Sequence, residues 1–294
     1  MNPESAFRYA RGIARGVRRG STFPVESRVP AKAAPGGSSV IQAARSGVNQ
    51  LAAWEIVEHR CAIPGLREPI TVLQLTDVHL RSHDPALDSL CRTLGGLGAL
   101  GVEPDLVVLT GDVVTRGWSR EAADFFLAAV PQARLGRFAI IGNWEYWAQA
   151  PPATWKYVLG RHGIPLLMDE SVQLGPIQLV GTDDQLAGAP DLEKAFAGVA
   201  SSRPALVLTH SPALFDAIAR PGVPLVLAGH THGGQVVLPQ LGSLFLPRGS
   251  GAYPWGWYRK GGSHLFVSRG LGWSVAPVRW RCAPEIAVIR MVPA

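Results

Sequence analysis

The stretch Pro69-Ile70-Thr71-Val72-Leu73-Gln74-Leu75-Thr76-Asp77-Val78-His79 runs from an apolar, β-branched segment straight into an aspartate and a histidine two residues apart. The apolar part reads as a strand buried on both faces, and the polar part as its carboxyl end. Four further stretches repeat the pattern. Residues 106–109 lead into Gly111-Asp112, residues 137–141 into Gly142-Asn143, residues 205–208 into Thr209-His210, and residues 224–228 into Gly229-His230-Thr231-His232. Helical periodicity follows the first three, over 84–97, 119–130 and 152–161. Strand–helix alternation with a polar residue at each strand end predicts an α/β fold whose site lies along the carboxyl edge of a sheet.

The rhythm changes after residue 161. Short strands are expected over 164–168, 172–175 and 176–180, a short helix over 192–199, and further strand-like segments over 234–237, 242–245, 264–268 and 285–291. No repeat or compositional break lies inside residues 55–294, and residues 49–294 read as one catalytic domain of two packed sheets, helices outside, with the site at one sheet edge.

Charge separates this body from an N-terminal arm. The net charge is +6; residues 1–48 hold eight basic and two acidic residues, whereas residues 49–294 hold twenty of each. A balanced body argues against nucleic acid as a partner. In the arm, Phe7, Ala10, Ile13, Ala14 and Val17 recur at helical spacing among Arg8, Arg11, Arg15, Arg18 and Arg19. That is a basic amphipathic pattern suited to an anionic bilayer surface. Residues 21–47, rich in Pro, Gly, Ser and Ala, read as a flexible linker. Cys61, Cys91 and Cys282 make neither a disulfide framework nor a zinc knuckle, and no run is long and apolar enough for a spanning helix. The expected location is the cytoplasm, with peripheral contact at the inner face of the cytoplasmic membrane.

Asp77, His79, Asp112, Asn143, His210, His230 and His232 offer the oxygen and nitrogen donors that hold divalent metals. They outnumber what one ion ordinarily takes from a protein. Two ions sharing a carboxylate would use them all and leave room for water. Asp77 and His79 are expected to alternate along extended backbone, both pointing one way. Asp112, following a glycine, suits a bridge, and Asn143 adds an oxygen without adding charge. Gly229, Gly233 and Gly234 permit a tight turn around His230 and His232. One Gly-Asp or Gly-Asn alone usually means a turn; their joint recurrence at strand ends points to a dinuclear centre.

In order and rough spacing, Asp77-x-His79, Gly111-Asp112, Gly142-Asn143, His210 and Gly229-His230-x-His232 resemble the calcineurin-like metallophosphoesterase superfamily. A nearer likeness is to its bacterial YkuE/YaeI-like phosphodiesterase branch. It is carried by Gly233-Gly234-Gln235, Ser268-Arg269-Gly270-Leu271-Gly272, Pro277-Val278-Arg279 and Pro284-Glu285-Ile286. The resemblance covers about residues 55–292. It implies a four-layer αββα sandwich of two mixed β-sheets flanked by helices. It places Asp77, His79, Asp112 and His232 around one metal and Asp112, Asn143, His210 and His230 around the other. Members use Mn²⁺, Fe, Zn²⁺ or Mg²⁺, and Mn²⁺ is the ion expected here. Two cations lower the pKa of a shared water and neutralise charge building on a phosphate under attack.

One position departs from the family pattern. Where a histidine usually follows Gly-Asn, this chain has Trp144, before Glu145. That histidine contacts the phosphate and is often assigned as proton donor to the leaving group; an indole donates one hydrogen bond but does not titrate. Trp144 therefore joins Asp112, Asn143, His210 and His230 among the expected catalytic residues, and a pyrophosphate bond suits such a site better than an alkyl phosphodiester. Downstream, Leu241, Leu244, Phe245, Tyr253, Trp255, Trp257 and Tyr258 lie among Arg248, Arg259 and Lys260, a composition suited to a lipid-phosphate mouth. Some relatives of this fold, including a divergent branch in lipid A biosynthesis, hydrolyse UDP-2,3-diacylglucosamine to lipid X and UMP, and this is the substrate expected first. A broad-specificity phosphodiesterase or phosphomonoesterase, and a non-catalytic metal-binding scaffold, are the alternatives.

Overall fold

Every side chain of Ile70–Leu75 and Leu106–Thr110 is buried, the condition of strands covered on both faces. Alternate residues part to opposite sides. Leu73, Leu75, Val107 and Leu109 pack against helices, whereas Ile70, Val72, Leu106 and Val108 meet a second sheet. The computed structural model describes residues 38–42, 50–51 and 53–294.

In chain order the strands are β1 (Ser38–Gln42), β2 (Glu55–Ile63), β3 (Ile70–Leu75), β4 (Leu106–Thr110), β5 (Arg137–Ile140), β6 (Glu170–Leu174), β7 (Ile177–Gly181), β8 (Ala205–Leu208), β9 (Leu225–Ala228), β10 (Val237–Leu238), β11 (Gly242–Ser243), β12 (Gly256–Lys260), β13 (Ser263–Val267) and β14 (Glu285–Pro293). One sheet has the order β1-β2-β14-β3-β4-β5 and the other β12-β13-β9-β8-β7-β6, with β10 and β11 paired apart. Both are mixed. β3, β4 and β5 run parallel while β14 is antiparallel to β3; β7, β8, β9 and β13 run parallel between antiparallel edges β6 and β12.

The helices are α1 (Pro85–Gly95), α2 (Arg120–Ala129), α3 (Asn143–Trp147), α4 (Pro152–Gly160), α5 (Leu192–Phe196) and α6 (Phe215–Ile218). Side chains start the two longest: Asp84 accepts from the Leu87 N–H and Ser119 from the Ala122 N–H. Leu87, Leu94, Phe126 and Trp155 cover the outer face of the first sheet, and Leu214, Phe215 and Ile218 that of the second. The layers are helix, sheet, sheet, helix, as expected. Gln74 ties the sheets together close to the site, its Nε2 donating to Thr110 Oγ1 (2.9 Å) and to the Ala228 carbonyl (3.0 Å) across the gap.

Several expectations are corrected. Within the stretch read as linker, Ser38–Gln42 is a strand, paired antiparallel with β2. Residues 164–168 do not form a strand; Leu166 makes only an isolated bridge with Ala139. The strand Glu55–Ile63 was not anticipated. The basic pattern of residues 7–19 lies outside the described residues. The aromatics after residue 250 are mostly core: Trp257 turns inward against Phe266 (ring centroids 5.0 Å apart), and Tyr253 and Tyr258 pack on each other beneath α6. Alternation along β12 sends Trp257 and Tyr258 to opposite faces, and both faces of the sheet are covered.

A buried charge network closes the carboxyl-edge end of the first sheet. Glu285 accepts from Arg269 Nε (3.3 Å) and lies 3.0 Å from His59 Nε2, and Arg269 also pairs with Glu55 at 2.8 Å. Burial opposes the Glu285 charge, but Arg269 and His59 outweigh it and hold the carboxyl well below the usual glutamate range. A depressed folded pKa stabilises above the unfolded glutamate pKa of about 4.3, and that stability drains away as pH falls below it. Glu285→Gln is therefore expected to lower stability near neutral pH by about 2–3 kcal/mol. The gap from wild type, followed by thermal unfolding, should narrow as pH falls toward 3. A gap constant with pH would contradict this assignment.

Candidate metal centre

The site spans the carboxyl ends of both sheets. Residues after β3, β4 and β5 come from one side and residues after β8 and β9 from the other. All seven expected ligands meet there, each at most 4% exposed. Asp77 and His79 are not on extended backbone as expected. Asp77, His79, Asp112, His230 and His232 all have left-handed backbone, with φ from 51° to 73°. Such residues cost on the order of 1–3 kcal/mol each unless their surroundings fix them, and they gather at functional sites. Here the surroundings do. Asp77 N–H donates to the Gly111 carbonyl (3.0 Å), His79 N–H to the Asp112 carbonyl (3.1 Å), and His230 N–H to Asp77 Oδ2 (2.9 Å).

Glycine is required where the turns crowd together. Gly111 has φ 89°, and a Cβ there would lie 2.7 Å from His210 Nδ1 and 2.8 Å from the Gly142 nitrogen. A Cβ on Gly142 would strike Asp112 Oδ1.

The candidate ligand atoms fall into two triads, Asp77, His79 and His232, and Asp112, His210 and His230, each within 4.8 Å. Asp112 stands between them: its Oδ2 lies 3.1 Å from His210 Nε2 and 3.8 Å from His79 Nε2. Its Oδ1 accepts from the Trp144 N–H at 2.8 Å. Two histidines are oriented by carbonyls, which can only accept. His210 Nδ1–H donates to Thr110 O (2.8 Å), and His230 Nε2–H to Arg248 O (2.5 Å). Each ring thereby turns its other nitrogen into the site, His210 by Nε2 and His230 by Nδ1, 3.3 Å apart.

Three observations show that the residues fit divalent metals. Asn143 Oδ1 is buried with no hydrogen-bond partner, a cost ordinarily avoided. The Nε2 atoms of His79 and His232 face each other at 2.8 Å, with Asp77 Oδ1 3.4 Å from His232 Nε2. Burial also drives these rings toward the neutral, ligating form: His79 falls to about 3, His230 to about 4, and His232 well below its ordinary value. Burial pushes Asp77 up to about 6, and it opposes protonation of His210, where the charge of Asp112 wins and holds the ring well above its ordinary value.

Trp144 sits at the lip, half-buried, its ring edge-on to His79 at 5.7 Å and to Trp147 at 5.6 Å. Sequence reasoning missed two supporting residues. Glu145 is buried and accepts from the N–H groups of Asp112, Val113, Val114 and Gly142. Its signal was position: three residues after the Gly142 cap, where a glutamate reaches back to the helix start. Arg279 is fully buried and donates to the carbonyls of Arg269, Gly270 and Gly272, with Nη2 3.3 Å from His232 Nδ1. It clamps the loop behind His232, a role that the Pro277-Val278-Arg279 signature does not reveal.

The family model for calcineurin-like phosphoesterases matches residues 70–234, from β3 through the last ligand histidine. The chain is 28% identical over 236 residues to the metallophosphoesterase YkuE of Bacillus subtilis strain 168, covering 78% of this chain and 81% of that protein. It is 30% identical over 255 residues to the phosphodiesterase YaeI of Escherichia coli strain K12, covering 81% and 88%. With LpxG of Chlamydia muridarum, a UDP-2,3-diacylglucosamine pyrophosphatase, it shares 26% identity over 302 residues, covering 81% and 87%. With two buried Asp/His triads at the strand ends that this family model spans, the chain belongs to the calcineurin-like phosphoesterases.

Proposed function

We propose that this metallophosphoesterase hydrolyses a pyrophosphate bond on an acylated substrate, of which UDP-2,3-diacylglucosamine is the first candidate. Two divalent ions, Mn²⁺ by expectation, would be held by Asp77, His79 and His232 and by Asn143, His210 and His230, with Asp112 shared. Bound there, they supply the acidity that makes water a nucleophile near neutral pH and the positive charge that a phosphate under attack requires. The protein's own residues fix the rest. The Trp144 N–H and the backbone around Gly111 hold Asp112 in place. The Thr110 and Arg248 carbonyls set which nitrogen of His210 and His230 faces in.

Trp144 carries the choice of substrate. It occupies the lip beside His79 and cannot give a proton to a departing oxygen. A nucleotide phosphate needs no such proton, whereas an alkoxide does. The activity of LpxG supports the same substrate class. The test is product release by Mn²⁺-loaded protein from UDP-2,3-diacylglucosamine, a non-acylated UDP-sugar and an aryl phosphodiester. Equal turnover of all three would favour the second reading, a broad-specificity phosphodiesterase, which the likeness to YaeI supports.

Trp144→His is expected to leave metal content unchanged. It should raise turnover of alkyl phosphodiesters by about tenfold or more, within the roughly 10²–10⁴ that general acids contribute, and change aryl or pyrophosphate substrates little. A uniform change across leaving groups would remove the proton-donor argument.

A further inference from the structure

Among the described residues, ten large hydrophobic side chains are exposed, and five of them sit on two neighbouring loops beside the metal centre. Leu241 (77% exposed), Leu244 (61%) and Phe245 (45%) belong to the β10–β11 hairpin and its exit; Val275 (77%) and Val278 (36%) belong to the loop before β14. The other five are scattered over the sequence, as single exposed apolar residues usually are.

The two loops are stitched edge to edge. Gln235 Nε2 donates to the Ala276 and Val278 carbonyls (2.9 and 3.0 Å), its Oε1 accepts from the Ser274 N–H (2.9 Å), and Val236 bridges Trp280. Both are rooted in the ligand turns. Ser243 Oγ donates to the Gly233 carbonyl (2.8 Å), and Gly272 N–H to the Asp77 carbonyl (2.6 Å). Gln235, Gln240 and Arg281 hold left-handed backbone, so these loops are built to one shape.

The chain that builds them carries charge of one sign. Between Asp216 and Glu285 the sequence has no acidic residue and seven basic ones. Arg248 and Arg281 are exposed on these loops, and Arg81 stacks over Trp273 at 3.8 Å. Apolar tips rimmed by cations, with an opposite charge required of whatever meets them, match an anionic bilayer. By contrast Lys260, on the hairpin once read as part of a lipid mouth, pairs with Asp216 at the other end of β12.

We propose that the hairpin at Leu241–Phe245 and the loop at Val275–Val278 form a membrane-docking surface that seats the metal centre against an anionic bilayer. It deepens the acylated-substrate reading, since an enzyme so seated would take its substrate from the bilayer without a spanning helix; no helix among the described residues is long and apolar enough to cross one.

The experiment is co-sedimentation of the full chain with vesicles of mixed phosphatidylglycerol and phosphatidylcholine, and of phosphatidylcholine alone. Wild type is compared with the combined Leu241→Gln, Leu244→Gln, Phe245→Gln and Val275→Gln variant. All four side chains are exposed, so the fold should persist, as turnover of a soluble aryl phosphodiester would report. Partition onto anionic vesicles should drop at least about tenfold in the variant, and wild type should bind phosphatidylcholine at least about tenfold less. Equal binding by wild type and variant would overturn the proposal, because attachment would then rest on the N-terminal arm or on nothing. A wild-type dimer that the substitutions convert to monomer would also overturn it, since a second copy would own the surface. Binding is read without substrate, so loss of the acylated-substrate reading in the product-release assay would leave this result standing, and the reverse.

Discussion

Asp112→Asn should abolish turnover while leaving the protein folded. Among the candidate ligands, Asp112 has a carboxylate that approaches ring nitrogens of both triads, at 3.1 Å from His210 Nε2 and 3.8 Å from His79 Nε2. Asparagine keeps the shape and one oxygen, so the bond from the Trp144 N–H to Oδ1 survives. What disappears is the negative charge that the proposed centre would share between two cations. The expected loss in turnover is at least about 10³-fold, at or above the roughly 10²–10³ that follows loss of a single transition-state contact. Metal content should fall below two ions per chain in the variant, whereas thermal unfolding of the metal-free proteins should differ little. Unchanged stoichiometry with full activity would remove Asp112 as the bridge.

The parts of this site that were legible in the sequence are those where chemistry and position are local. A buried strand announces itself by a continuous apolar run, and the polar residue that ends it marks the sheet's carboxyl edge. Asp77, Asp112, Asn143, His210, His230 and His232 were found that way, and the fold followed from the same five strands. Trp144 was legible as a departure, because the residues around it fixed what to expect there.

What stayed hidden depends on contacts distant in sequence. Glu55–Ile63 carries Glu58, His59 and Arg60 and so does not read as a covered strand; its place comes from β14, which runs beside it from Glu55 opposite Glu285 to Ile63 opposite Pro293. His59 is tolerable there because its Nε2 meets Glu285 Oε1 on the neighbouring strand at 3.0 Å. Ser38–Gln42 has linker composition and becomes a strand only because β2 offers an open edge. The left-handed turns at Asp77 and His79 were misread as extended because nothing in Asp-Val-His signals them; the Gly111 and Asp112 carbonyls impose them from the next turn. Tyr253, Trp257 and Tyr258 looked like an interfacial cluster since composition cannot separate a greasy mouth from a second core. The exposed apolar residues were instead Leu241, Leu244 and Phe245, named in the same stretch but not distinguished from it.

Glu145 should prove as important to the site as a ligand, without touching a metal. One carboxylate receives four backbone N–H groups: Val113 at 2.6 Å and Val114 at 3.3 Å on Oε1, Gly142 at 2.8 Å and Asp112 at 3.0 Å on Oε2. It thereby bolts the Gly111-Asp112 turn to the Gly142-Asn143 turn, the two that carry the proposed shared ligand and the proposed neutral one. Burial, with Asp112 next, raises its carboxyl above the ordinary glutamate range, while the backbone N–H donors pull the other way and favour the ionised form that accepts from all four. Glu145→Gln replaces one acceptor oxygen by an NH₂ that faces N–H groups, so two backbone donors lose their partner in a fully buried place. At roughly 1–3 kcal/mol for each unsatisfied group, a loss of about 3–5 kcal/mol in stability is expected. Metal affinity should fall about 10–100-fold, as it does when groups supporting the ligands are removed. Unfolding with and without chelator measures the first, and competition with a chromogenic chelator the second. The pattern separates this residue from Asp112: here stability drops even in the metal-free protein, and saturating metal restores most of the turnover. A variant as stable as wild type, with unaltered metal affinity, would mean that the two turns hold their shape without it.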